Sequence, residues 1–179
     1  MLQKSSMNKT TEVFFINPTK KHYLMDISRK IGLAHTSVKN NLNKLVKWGL
    51  ITKNIENKRS RKFPIYQANL NSNYFKRYKA LYNLSFILDS GLIEFIEEKL
   101  TPKSIVLFGS YQRGEDIETS DIDLFVECKQ KELDVSSFEK KLMRKIQLHF
   151  NENFNSYSKE LKNNIINGIV LNGFLEGYK

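Results

Sequence analysis

The chain of 179 residues contains one cysteine and three prolines, and no apolar run approaches the ~20 residues that would span a bilayer. Each scarcity removes a class of protein. A single cysteine, Cys128, cannot close an internal disulfide, and its place in an apolar run points to a buried thiol rather than a reactive one. Three prolines and eight glycines, with 12% aromatic residues, exclude collagenous and broadly disordered chains. The first ten residues lack the apolar stretch of a secretory signal, and their polarity predicts a frayed start over 1–10. A cytoplasmic location without membrane association is expected.

Acidic residues are scarce in one half only. Residues 1–83 hold 17 Lys/Arg against 3 Asp/Glu, net +14, whereas residues 84–179 hold 12 against 16, net −4. At 40% hydrophobic residues either one large domain or two small ones can bury a core, and the charge split argues for two. So basic a half attracts a polyanion through counterion release, unless its lysines serve only solubility. An acidic half tolerates a site for divalent metal.

In the first half, the apolar segment 12–16 is closed by Asn17-Pro18, because the residue before proline is pushed out of the helical region; a short helix ends there. Residues 25–31 place Met25, Ile27 and Ile31 at helical offsets, and Gly32 supplies a turn. Thr36 and Ser37 are positioned to cap a second helix whose apolar positions Val38, Leu42, Leu45 and Val46 follow i, i+4, i+7, i+8 up to Gly49. Its other face carries Ser37, Lys39, Asn40, Asn43, Lys44 and Lys47, which suits phosphates and base edges, although a merely solvated face has the same composition. Segments 50–55 and 63–68 read as strands around a basic hairpin tip with Lys58, Arg59, Arg61 and Lys62. Helix, glycine, helix, strand, basic tip and strand over 11–70 resemble the winged helix-turn-helix family of transcription regulators. The resemblance implies that these polar helix residues and the four cations of the tip contact double-stranded DNA.

Residues 71–102 read as a helical connector. Ser72 caps a helix with the stripe Tyr74, Phe75, Tyr78, Leu81, Tyr82 and Phe86, which serves as core or as a dimer seam; Ser90-Gly91 then precedes a second helix at 92–100. A homodimer is expected, since paired half-sites need paired readers.

In the second half, 104–108 reads as a buried strand that runs straight into Gly109-Ser110, a small flexible residue followed by a hydroxyl. Asp121-Ile122-Asp123 opens a second strand, 122–126, where alternation puts both carboxylates on one side. Two such neighbours repel and are tolerated around a divalent cation, for which magnesium held by carboxylates and substrate phosphates is the natural candidate.

The string from Leu107 to Val126, with Gly-Ser, ten residues and Asp-x-Asp, resembles the minimal nucleotidyltransferases of the DNA polymerase beta-like superfamily. The resemblance implies a small mixed-sheet domain over 103–179 and an α+β chain overall. By it Gly109 and Ser110 bind nucleotide, while Asp121 and Asp123 are catalytic and hold Mg2+ or Mn2+. A nucleoside triphosphate, ATP, would give its monophosphate to an acceptor hydroxyl, in an antitoxin-like regulator whose partner is a HEPN-type toxin. Arg113 touches phosphate or sits in an exposed loop, and Ser120 caps or turns the backbone. The family usually adds a third carboxylate on a later strand. Here a helix at 136–145, capped by Ser136 with Glu139 in the box position, leads to strand 146–150, which offers Gln147 instead. An amide adds no charge and cannot serve as a base, and Glu152 is several residues out of register. His149 is read as structural or exposed, on a face from which alternation excludes Gln147. A closing helix over 158–171 packs Leu161, Ile165, Ile166 and Ile169, with Phe174, Leu175 and Tyr178 under the sheet. Two functions result: a nucleotidyltransferase, or a DNA-binding regulator whose transferase-like domain senses nucleotide or partner without turnover, which Gln147 favours.

Overall fold

The computed structural model describes residues 5–58, 61–152 and 154–176, without the side chains of Lys58 and Asn155. The chain divides into two compact units, 1–82 and 83–179.

The first unit opens with α1 (Ser6–Ile16), whose start is fixed by Ser5 Oγ accepting the Asn8 N–H at 3.2 Å. Residues 6–10, expected to fray, are therefore helical. Thr10 is fully buried, and its Oγ1 accepts a hydrogen bond from Asn41 Nδ2 at 3.0 Å, a long-range partner that polarity alone does not reveal. The helix stops ahead of Pro18, with Asn17 as its cap. A two-residue strand β1 (His22–Tyr23) leads to α2 (Leu24–Ile31), closed by Gly32, and then to α3 (His35–Lys47). Ala34 occupies the N-cap of α3 without a side-chain bond, so Thr36 and Ser37 lie within its first turn instead of capping it. Packing holds this helix: Val38, Leu42 and Leu45 are buried, and each such side chain contributes about 1.5–3 kcal/mol relative to exposure. Met25 is exposed and takes no part in that core.

Strands β2 (Ile51–Lys58) and β3 (Arg61–Ala68) pair antiparallel, and β1 joins the far side of β3 to give the order β1-β3-β2. The ladder runs out to the pair Lys58–Arg61, so Lys58, Arg61 and Lys62 belong to strands and not to a loop. Continued pairing satisfies backbone groups that a loop would leave to water. Arg59 lies outside the described residues.

Helix α4 (Asn73–Leu88) begins as expected, with Ser72 Oγ accepting the Phe75 N–H at 3.3 Å. Its aromatic stripe divides. Phe75 is buried against Phe15, with ring centroids 5.4 Å apart, and the Tyr82 hydroxyl donates to Glu12 Oε1 at 2.8 Å, while Tyr74, Tyr78 and Leu81 are exposed. The boundary between the units falls inside α4, so 71–102 is not a separate connector.

The second unit holds the end of α4, then α5 (Leu92–Leu100), β4 (Ser104–Phe108), α6 (Gly109–Arg113), β5 (Ile122–Val126), α7 (Ser136–Leu142), β6 (Ile146–Phe150), a 3-10 turn at Phe154–Ser156, α8 (Lys159–Ile166) and β7 (Ile169–Gly173). Its sheet has the order β6-β5-β4-β7, with β5 and β6 parallel and the other neighbours antiparallel, which makes the chain α+β with a mixed sheet. Alternation sends Ile105, Leu107, Ile122 and Leu124 into a core shared with Ile93 and Ile96 of α5, and Val106, Phe108 and Phe125 into another shared with Ile165 of α8.

Residues 158–171 are not one helix. Ser158 caps α8 by accepting the Leu161 N–H at 3.3 Å, but the helix ends at Ile166 and Ile169–Gly173 pairs with β4. Without that strand β4 would be an open edge, and Gly168 passes so near Leu107 O that no Cβ fits between them. Phe174 is exposed, Leu175 packs on the second of the two cores, and Tyr178 lies outside the described residues. Helix α7 is also shorter than expected, because Met143 adopts φ +55°; its N-cap is Val135, not Ser136. Glu139 makes no capping box. It accepts the Ile146 N–H at 3.0 Å and Lys145 Nζ at 3.1 Å, which hold its carboxyl below the usual range. Among the described residues no helix is long and apolar enough to cross a membrane.

Candidate nucleotide site and basic face

Strand β4 delivers the chain into Gly109, which has φ +80°, a conformation that L side chains rarely adopt. Space adds a second reason for glycine: a Cβ there would collide with Asp123 Oδ2. The carboxylate reaches this point through the sheet register, since Phe108 and Asp123 are direct partners across β4 and β5. Ser110 follows, half-buried in the first turn of α6, and its carbonyl accepts the Glu115 N–H at 2.9 Å. Asp121 stands two residues before Asp123, immediately ahead of β5. The structure thus brings Asp123 against the Gly109 bend, with Ser110 and Asp121 in the adjoining turn and strand mouth.

Strand β6 supplies the rest. Its parallel register pairs Gln147 with Asp123 and His149 with Phe125. Gln147 Nε2 donates to Asp121 Oδ2 at 2.6 Å, and His149 Nε2 lies 3.2 Å from Asp123 Oδ1 with its ring against Phe108, centroids 5.1 Å apart. This corrects the expectation for His149: residues two apart on a strand share a face, so alternation places it beside Gln147, and it contacts Asp123. The period of two was the signal that should have found it. Glu152 is exposed beyond the end of β6, and its charge acts on Cys128. The Cys128 thiol is half-buried and pushed up by that burial.

Among the described residues no group of three or more His, Cys, Asp and Glu is arranged to hold a metal ion. Asp121 and Asp123 nevertheless suit magnesium, which is commonly held by one or two carboxylates and completes its shell with water and substrate phosphates. Arg113 is exposed and paired with Glu115 at 2.9 Å, and Ser120 Oγ accepts the Ile117 N–H at 3.0 Å, a turn role as expected. A cavity of about 500 Å³ adjoins Asp121, lined by Ser120, Ser136, Lys140 and Arg144 among others.

Residues 90–171 match the nucleotidyltransferase domain family. The chain is also 49% identical over 51 residues to a Methanocaldococcus jannaschii protein named "Putative protein adenylyltransferase", a match over 28% of this chain and 58% of the relative, so that little more than half of that relative is represented. A solved structure titled "Possible transcriptional regulator from Methanosarcina mazei Go1" aligns over 54% of this chain and 79% of its own, at 14% identity and TM-score 0.38, a likeness too distant to carry weight.

In the first unit, Lys39, Asn40, Asn43, Lys44 and Lys47 lie exposed along one side of α3, Ser37 is half-buried, and Val38, Asn41, Leu42 and Leu45 are buried on the other side. Arg61 and Lys62 are exposed on β3. No described acid of the first unit lies on this α3 face; Glu56 of β2 is engaged by the Tyr23 hydroxyl and by Lys21 at 3.5 Å.

Proposed function

We propose that the second unit catalyses metal-dependent transfer of a nucleoside monophosphate, AMP from ATP, to an acceptor hydroxyl, and that the first unit is a winged helix-turn-helix that binds double-stranded DNA. The observation that carries the transferase reading is Asp123 lying against the Gly109 bend while Asp121 shares its strand mouth. Mg2+ or Mn2+ held by Asp121 and Asp123 would supply charge neutralisation on the phosphates. The Gly109 bend admits the triphosphate backbone closely, and the Ser110 hydroxyl offers it a hydrogen bond. The acceptor oxygen forms a bond to the α-phosphorus, the bond to pyrophosphate breaks with its electron pair, and the hydroxyl proton leaves to solvent. Adenylylation of a HEPN-type toxin by a cytoplasmic, homodimeric antitoxin that binds its own operator is the biological setting that fits both units.

A second reading has its own support. Gln147 directs an amide nitrogen, not an acid, at Asp121, so the pair lacks the third negative charge the superfamily usually provides. A domain built this way senses ATP or a partner without turnover. Incubation with magnesium and labelled ATP, with and without neighbouring gene products, decides between the two. Covalent label that disappears with Asp121→Asn and Asp123→Asn establishes the transferase; no label with any acceptor, together with a melting shift on adding ATP and magnesium, leaves the sensor. No melting shift and no label ends both the transferase and the ATP-sensing reading.

A further inference from the structure

We infer that Asn83 is a positioning residue that holds the Gly109-Ser110 turn in its nucleotide-binding form, an inference that rests on the nucleotide reading above. Asn83 is 2% exposed, and a buried amide is tolerated only when its hydrogens find acceptors. Both do: Nδ2 donates to the Tyr111 carbonyl at 2.8 Å and to Asp116 Oδ1 at 2.7 Å. Asp116 is itself 1% exposed, and its other oxygen lies 3.5 Å from the guanidinium of Arg144, whose side chain is 7% exposed.

Each member of this buried cluster belongs to a different segment of the site. Tyr111 directly follows Gly109-Ser110. Asp116 sits in the loop that runs into Asp121 and Asp123. Arg144 stands just ahead of the strand that carries Gln147 and His149. The Gly114 and Glu115 N–H groups turn back onto the carbonyls of Tyr111 and Ser110 at 3.2 and 2.9 Å, so the loop leaves α6 in a set direction. One asparagine therefore ties the nucleotide turn, the acid-bearing loop and the entry to β6 at a single point. Neither an aliphatic residue nor an aspartate can replace it. The first takes away one of the donors to the Tyr111 carbonyl and one of those to Asp116, and the second sets two carboxylates face to face in a buried place. Geometry of this kind matters for a group-transfer site because small displacements cost large factors in binding and rate.

The test uses the full chain as wild type, Asn83→Leu, Asn83→Ser and the control Ile96→Ala, which removes a fully buried side chain from the same unit outside this cluster. Magnesium-ATP affinity by calorimetry, melting temperature and amide hydrogen exchange are read for each. Asn83→Leu is expected to weaken magnesium-ATP binding by about tenfold to a hundredfold. It should also speed exchange of the Gly114 and Glu115 amides while β4 and β5 stay protected. Asn83→Ser, which keeps one donor, should fall between it and wild type, and serves alone if Asn83→Leu does not fold. Ile96→Ala should lose as much melting temperature with its affinity unchanged. Normal ATP binding by the Asn83 variants, equal weakening in Ile96→Ala, or exchange that rises across β4 and β5 as well would overturn the inference and leave the nucleotide reading standing. A wild type that binds no ATP would instead end the nucleotide reading, and this inference with it.

Discussion

The cations of the first unit and the acids of the second are placed by opposite means. On α3 the polar residues are set out by helical periodicity, one side buried in Val38, Leu42 and Leu45 and the other left to solvent with Lys39, Asn40, Asn43 and Lys44. Asp121 and Asp123 are instead held by specific partners, Gln147 and His149, from a strand more than twenty residues away. A face of the first kind tolerates loss of one member, since long-range charge is shared across it. A site of the second kind does not, since each group is positioned by another.

That contrast can be tested by substitution, beginning with the severest. Replacing Asp121 and Asp123 together with asparagine should lower labelled-nucleotide transfer by at least about a thousandfold, roughly 4 kcal/mol of transition-state stabilisation, with melting temperature little changed; transfer within tenfold of wild type would remove the acids from the chemistry. Arg144→Met leaves the Asp116 carboxylate buried beside Tyr111, whose phenol is pushed up by its burial and by the Asp116 charge. Urea unfolding of the second unit should show a loss of about 3–5 kcal/mol. Gly109→Ala combines a left-handed backbone with the collision against Asp123, and should cost about 1–3 kcal/mol together with magnesium-ATP binding. If the variant binds magnesium-ATP as the wild type does, the bend is not where the triphosphate sits.

The first unit should respond by degrees. Alanine at Lys58, Arg59, Arg61 and Lys62 should flatten the dependence of log affinity for duplex DNA on log salt by about 3 to 4, close to one for each phosphate no longer neutralised. Single replacements should each take a share, and an unchanged slope would mean that the hairpin does not touch DNA. The smallest effect is at a helix cap, where Ser158→Ala removes the acceptor for the Leu161 N–H and should cost ~1 kcal/mol by thermal unfolding.

Much of this was legible in the chain. Asn17-Pro18 stops α1, Ser72 starts α4, and the strands β4, β5 and β6 stand where their apolar runs predict. The Gly-Ser bend and the Asp pair stand out in the chain because glycine allows close approach of backbone to phosphate and a cation site tolerates neighbouring acids; that Asp123 lies against Gly109 is shown only by the fold. The misses have particular causes. Thr10 looked like part of a polar tail because its partner, Asn41, is thirty-one residues on. Ile169 fitted helical spacing with Leu161 and Ile165, and only the open edge of β4 made it part of a strand. His149 was misplaced against the strand's own period, so that reading could have been right from sequence.

What the sequence by itself determined are the features that depend on neighbours a few residues apart: the stop of α1 at Asn17-Pro18, the Ser72 cap of α4, the alternation of β5, the opposite charges of the two halves and the residue types of the bend. Tertiary structure alone decided which distant side chains complete them. The amide of Asn83 on Asp116, Gln147 on Asp121 and His149 on Asp123 are contacts across 33, 26 and 26 residues. Local stereochemistry carries no record of such pairings; they are fixed when β5 and β6 take their register and α4 packs against the loop that follows α6, because a buried polar group must then find a partner or leave the core.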